Sequence, residues 1–99
     1  MDPKVEKYRR TRGAILKLLA FEHPGSIDQI VLHRLLDDLN ITITFEELKS
    51  HIAYLEEKHC IRIDRRKIGR VELTMITICA NGLDALDGIH TECGVDTEF

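Results

Sequence analysis

The chain has no tryptophan and only five aromatic residues, two Tyr and three Phe. Any core must therefore be aliphatic, drawn mostly from Leu and Ile. Apolar runs are only a few residues long, far below the ~20 needed to span a bilayer, which excludes a membrane-spanning helix. The N-terminus carries charge without an apolar stretch behind it, so it reads as having no secretory signal. Cys60, Cys79 and Cys93 are odd in number and widely spaced, so they do not read as a disulfide framework. Together these absences predict a cytoplasmic protein. There is no glycine-rich phosphate loop, no internal repeat and no low-complexity tract.

What is present suits one small domain. At 99 residues, 43% hydrophobic and 31% charged, the chain can bury a modest core, and a second core would not fit. The formal net charge is −3, which argues mildly against a general nucleic-acid coat. Its distribution is more informative. Residues 1–12 hold five basic and two acidic groups, residues 61–70 hold five and one, and from Asp84 onward there are five acidic groups and no Lys or Arg. The positive blocks can attract phosphate.

Asp2-Pro3 reads as an N-cap followed by Pro at the first helical position. Val5, Tyr8, Ile15, Leu16 and Leu19 follow at helical spacing. Arg12 shares that face, so either the first turns lie outside the core or the packed helix begins nearer Arg9. The Pro-Gly turn at His23-Pro24-Gly25 ends the element. Ser26 with Gln29 reads as a capping box opening a second helix. The apolar residues of that helix, Ile27, Ile30, Val31, Leu32, Leu35, Leu36 and Leu39, cover more than half of its circumference. That breadth predicts packing on several sides, either between neighbouring helices or against a second copy. Asn40 suits its C-terminal end.

The β-branched run Ile41-Thr42-Ile43 suggests a short strand. Thr44 and Glu47 form a second capping box, for a third helix ending near Lys58. Phe45, Leu48, Ile52 and Leu55 lie on its inner face; Glu46, Lys49, Ser50, Ala53 and Glu57 lie opposite, with Tyr54 at the edge. Alternating strands over 61–64 and 71–78 flank the turn Arg65-Arg66-Lys67-Ile68-Gly69-Arg70. A short helix from about Ala80 to Asp87 closes a single domain over 1–99, with 89–99 as an extended or frayed tail.

The expected architecture is therefore mainly α with a small antiparallel β-hairpin, in the order helix, helix, strand, helix, strand, wing, strand, helix. That order resembles the winged helix-turn-helix superfamily, for which DNA binding is the implied function. The combination of Ile15-Leu16-Lys17-Leu18-Leu19-Ala20, Leu48 to Tyr54-Leu55-Glu56, and Gly82-Leu83-Asp84-Ala85-Leu86-Asp87-Gly88 followed by Gly94-Val95 resembles small winged-helix proteins of Mu-like prophages. Two departures stand out. Cys79 takes the place of a Thr capping the last helix, and Asp96 and Glu98 replace a basic tail, which removes one phosphate contact.

In a helix-turn-helix the third helix enters the major groove. Here it offers Lys49 for guanine, Ser50 as a general donor or acceptor, and Ala53 for a thymine methyl. Glu46 and Glu47 fit the helix macrodipole and the cap better than base contact. The wing is the stronger candidate, because Arg62, Arg65, Arg66, Lys67 and Arg70 stand within nine positions and can track a phosphate backbone. Arg9 and Arg10 are a weaker possibility. His59, Cys60, Cys79, His90, Glu92 and Cys93 lack zinc-knuckle spacing, and Cys60 and Cys79 suit small buried hydrophobes. No metal, cofactor, small-molecule substrate or catalytic motif is expected, so the chain does not read as an enzyme.

The resulting expectation is a homodimeric prophage-type transcriptional regulator. Its DNA-binding residues would be Lys49, Ser50, Ala53, Arg62, Arg65, Arg66, Lys67 and Arg70 on double-stranded DNA. The dimer contact would come from the first, second or last helix. The alternative is a winged-helix protein-interaction module that binds no DNA.

Overall fold

The computed structural model describes residues 2–88 and 93–95. Within these residues four helices pack with a three-stranded antiparallel sheet. The first helix, α1, spans Pro3–Glu22. Asp2 caps it by accepting from the Lys4 amide at 2.9 Å, with Pro3 in the first turn as the sequence predicts. Asp2 to Arg10 are all exposed, Val5 and Tyr8 included, and continuous burial begins only at Thr11. The core face is thus Thr11, Ala14, Ile15, Leu16 and Leu19, and the first turns overhang the domain.

After the turn at His23–Gly25, which contains a cis His23–Pro24 bond, the chain makes a two-residue strand, β1, Ile27–Asp28. This corrects the expected Ser26 cap. Ile27 pairs with Ile76 in the sheet and is buried there, so the helix cannot begin before it. Asp28 becomes the N-cap instead, accepting from the Ile30 amide at 3.1 Å, and α2 runs Gln29–Asp38.

Only Leu32 and Leu36 of α2 are fully buried. Ile30, Val31 and Leu39 are 52%, 45% and 51% exposed, so the helix is not wedged between two others as its broad apolar face suggested. Its end is a Schellman motif: Asn40 has φ 62°, its amide donates to Asp37, and the Ile41 amide donates to Leu36. Ile41-Thr42-Ile43 then forms no strand. The Ile41 amide is consumed by the cap, and the Ile43 carbonyl lies 2.7 Å from His33 Nε2. β propensity without a partner ladder is not enough.

The capping box at Thr44 is present in both directions, at 3.0 and 3.3 Å, and opens α3, Phe45–Glu57. Leu48, Ile52 and Leu55 point into the core, joined by His51. A second Schellman motif ends this helix, with His59 at φ 61° and the Cys60 amide donating to Leu55 at 2.9 Å.

Strands β2, Ile61–Ile68, and β3, Val71–Ile78, form a hairpin in which Ile68 pairs with Val71. The turn is therefore only Gly69 and Arg70, with Gly69 at φ 61°, and Arg65, Arg66 and Lys67 lie in the strand rather than in the turn expected for them. Sheet order is β1-β3-β2. The final helix, α4, Ala80–Leu86, packs on α1. A Cβ at Gly82 would stand 2.6 Å from the Cys60 carbonyl oxygen and 2.7 Å from Ile78, so glycine permits α4 to approach the hairpin base.

Cys60 and Cys93 are joined by a disulfide with Cα atoms 6.1 Å apart, and both are fully buried. This overturns the reading of the three cysteines as unpaired; Cys79, half-buried, keeps its thiol. The pairing was hidden because it links the end of α3 to a segment 33 residues away. Most of the expected tail, including His90, Glu92, Asp96 and Glu98, lies outside the described residues. Cys93, Gly94 and Val95 are not frayed but packed on the domain. Among the described residues, no helix is long and apolar enough to cross a membrane.

Candidate nucleic-acid interface

All eight residues proposed to meet DNA are exposed. Their surroundings differ. On α3, Lys49 Nζ lies 3.7 Å from the Glu46 carboxylate, one helical turn away. Ser50 Oγ donates to the Glu46 carbonyl at 3.2 Å, so its proton is already engaged. Ala53 is open, but Glu46, Glu47, Glu56 and Glu57 are exposed on the same helix. A polyanion would meet a mixed surface there, with more carboxylate than ammonium.

The hairpin holds more positive charge, divided between two faces. Side chains alternate along a strand, and the cross-strand register assigns each to a side. Ile61, Ile63, Ile76 and Ile78 point toward the helices at the hairpin base, and the same face continues outward as Arg65 paired with Thr74 and Lys67 paired with Glu72. The opposite face carries Arg62, Asp64, Arg66 and Ile68 against Thr77, Met75, Leu73 and Val71. Arg66 Nε donates to Asp64 at 2.8 Å, which offsets its charge. Arg70 stands in the turn, available to either side. Because α3 packs on β2, Arg65 and Lys67 share the side of the sheet that α3 occupies. The run of five bases is therefore not one patch, and each face also holds a carboxylate, Glu72 or Asp64.

A third feature lies between α1 and α3. Tyr8, Arg12, Glu47, Ser50, His51 and Tyr54 line a cavity of about 380 Å³. Arg12 Nε donates to the Tyr8 carbonyl at 3.2 Å while its guanidinium lies 4.1 Å over the Tyr54 ring. Tyr8 meets His51 edge-on, with ring centroids 5.5 Å apart. Burial lowers the His51 pKa below its ordinary value, the nearby Arg12 charge lowers it further, and Glu47 opposes them. The described tail reaches this cavity. Gly94 packs against the Tyr54 hydroxyl and the Arg12 guanidinium, and Arg9 Nη2 donates to the Val95 carbonyl at 3.0 Å. The sequence placed Arg12 on the α1 core face and Tyr54 at the α3 edge but did not join them. The i, i+4 spacing of Tyr8 and Arg12 and the i, i+3 spacing of His51 and Tyr54 were the only signals.

Among the described residues, no group of three His, Cys, Asp or Glu is arranged to hold a metal ion. Comparison with family models, curated proteins and solved structures finds no match for this chain.

Proposed function

We propose that the chain is a winged helix-turn-helix DNA-binding protein of prophage-regulator type, acting as a homodimer. The observation that carries this reading is the hairpin, where five exposed bases, Arg62, Arg65, Arg66, Lys67 and Arg70, lie mostly beyond the buried base of the sheet. The element order supports it, since a short strand before α2 joins the edge of a sheet whose hairpin follows α3. So does the compact turn of residues 39–44 between α2 and α3.

In this arrangement α3 lies along the major groove and offers Lys49 and Ala53 to base edges. Arg65 and Lys67, on the same side, and Arg70 at the tip neutralise the adjacent phosphates. The exposed carboxylates of α3 make its contribution to affinity small, so binding is mostly electrostatic and tolerant of sequence. Exposed Ile30, Val31 and Leu39 support α2 as part of the dimer contact.

A second reading, a protein-interaction module, is favoured by one specific surface. Ile68 and Val71 are 64% and 57% exposed on the face that also holds half-buried Leu73 and Met75. A titration of the chain into labelled mixed-sequence duplex at low and moderate salt separates the two. DNA binding predicts affinity that falls with salt. No complex even at low salt rejects it in favour of the interaction module.

A further inference from the structure

The cavity between α1 and α3 is left unexplained by the DNA reading, yet two helices build it in register. Tyr8 and Arg12 stand one turn apart on α1, while Glu47, Ser50, His51 and Tyr54 follow one stripe of α3 at i, i+3, i+4 and i+7. The space between them is about 380 Å³. Benzene fits a cavity of about 150 Å³, so one substituted ring has room here.

The lining selects for a ring. Three of its six side chains are aromatic, and Tyr8 meets His51 edge-on with centroids 5.5 Å apart. Tyr8 is 41% exposed, which leaves the trough open for entry. A flat ligand laid there would bury apolar surface that the fold leaves in water.

The charge selects for an anion. Arg12 and Glu47 are the cation and the carboxylate of the lining, and they are differently placed. Glu47 is exposed, and its Oε1 accepts from the Thr44 amide in the capping box. Arg12 is half-buried with its guanidinium over the Tyr54 ring, and among the described residues it makes no salt bridge. Burial lowers the His51 pKa most, and of the two charges Arg12 acts on it more strongly than Glu47. The potential inside the trough is therefore positive. At pH 7 His51 is mostly neutral and supplies a ring rather than a second charge.

We propose that this trough binds a small aromatic monocarboxylate, with its ring among Tyr8, His51 and Tyr54 and its carboxylate on the Arg12 guanidinium. The planar fork of an arginine suits both oxygens of a carboxylate, which an ammonium does not match. A cationic ring would meet Arg12 with like charge, and an aliphatic acid would forgo the aromatic walls. The site rests on the cavity and not on the DNA reading, so the free protein tests it.

Benzoate is the probe, titrated into the full chain and followed by calorimetry and by NMR of the Tyr and His ring signals. Saturable one-site binding should appear with a dissociation constant of about 1 mM or tighter, shifting Tyr8, His51 and Tyr54. Acetate and benzamidine should each bind at least tenfold more weakly. Arg12→Gln should weaken benzoate about tenfold or more, the scale of a hydrogen bond to a charged group, and Arg12→Lys should fall between. Arg34→Gln, the same loss of charge on α2, should change nothing. Circular dichroism establishes that each variant folds; if Arg12→Gln does not, the selectivity of the unaltered chain decides. Absence of saturation by benzoate overturns the site, as do shifts confined to other residues. Benzamidine binding as tightly as benzoate would make Glu47 the governing charge and refute the anion. Acetate binding as tightly would refute the ring, and full affinity in folded Arg12→Gln would refute the carboxylate contact.

Discussion

The division of the hairpin charges between two faces makes a prediction that counting charges cannot. A duplex lying against α3 meets the side of the sheet that carries Arg65 and Lys67, with Arg70 at the tip, while Arg62 and Arg66 point away and Arg66 is held by Asp64. Three neutralised phosphates per subunit give a slope of log K against log salt of roughly −2.7, at about −0.9 for each. All five bases acting together would give about −4.5. Replacing Arg65 and Lys67 together by Gln should reduce the slope to roughly −0.9, leaving Arg70 as the main wing contact. Replacing Arg62 and Arg66 by Gln should leave the slope unchanged within error. Fluorescence anisotropy across a series of salt concentrations, with circular dichroism to confirm that each variant folds, measures both. Equal losses from the two pairs would refute the face assignment. A loss confined to Arg62 and Arg66 would place the duplex on the opposite side of the sheet and remove α3 from the groove.

Other consequences can be checked without DNA. Thr44→Ala deletes one arm of the α3 capping box and should destabilise the domain by about 1 kcal/mol in urea unfolding; no change would mean the helix end is secured elsewhere. Reduction of the Cys60–Cys93 bond should cost up to about 3.7 kcal/mol if loop entropy dominates, from its sequence separation of 33, read as a shift of the urea midpoint with dithiothreitol. A midpoint shift near zero would say the cross-link adds no stability. His51 has a pKa lowered by burial and by Arg12. The unfolded chain therefore takes up a proton first as acid is added, and stability is lost as pH falls below about 6.5. His51→Gln should flatten that part of the pH–stability curve, and an unaltered curve would show that other groups set it. Gly82→Val should lower stability by more than the ~1 kcal/mol typical of point substitutions, because its side chain meets the Cys60 carbonyl and Ile78; thermal melting tests this.

Local chemistry was readable from the sequence wherever one side chain decides one backbone group. Asp2, Thr44 and the Asn40 turn belong to that class, since cap and partner sit within a few residues of each other. Ser26 was the cap expected for α2, and Asp28 takes that place. The choice between them was made by Ile76, nearly fifty positions away, which takes Ile27 into the sheet. Ile41-Thr42-Ile43 failed as a strand for the converse reason, having suitable side chains and no ladder to join. The same limit applies to the candidate site. The five hairpin bases could be counted, but their faces depend on where the turn falls. Two residues of turn rather than six moved Arg65, Arg66 and Lys67 into alternating strand positions. The Cys60–Cys93 link and the cavity of Tyr8, Arg12, His51 and Tyr54 required tertiary proximity, which spacing alone does not encode.

The position of β2 at the open edge of the sheet has its own consequence. An eight-residue edge strand invites another chain to pair with it and propagate into aggregates. Here four of the eight side chains on that edge, Arg62, Arg65, Arg66 and Lys67, are cationic, and two copies brought together in register would repel. The groups proposed for phosphate recognition would thus also guard the edge. Stripping them should cost solubility as well as binding, and for that reason polar Gln, not an apolar residue, is the substitution that separates the two roles.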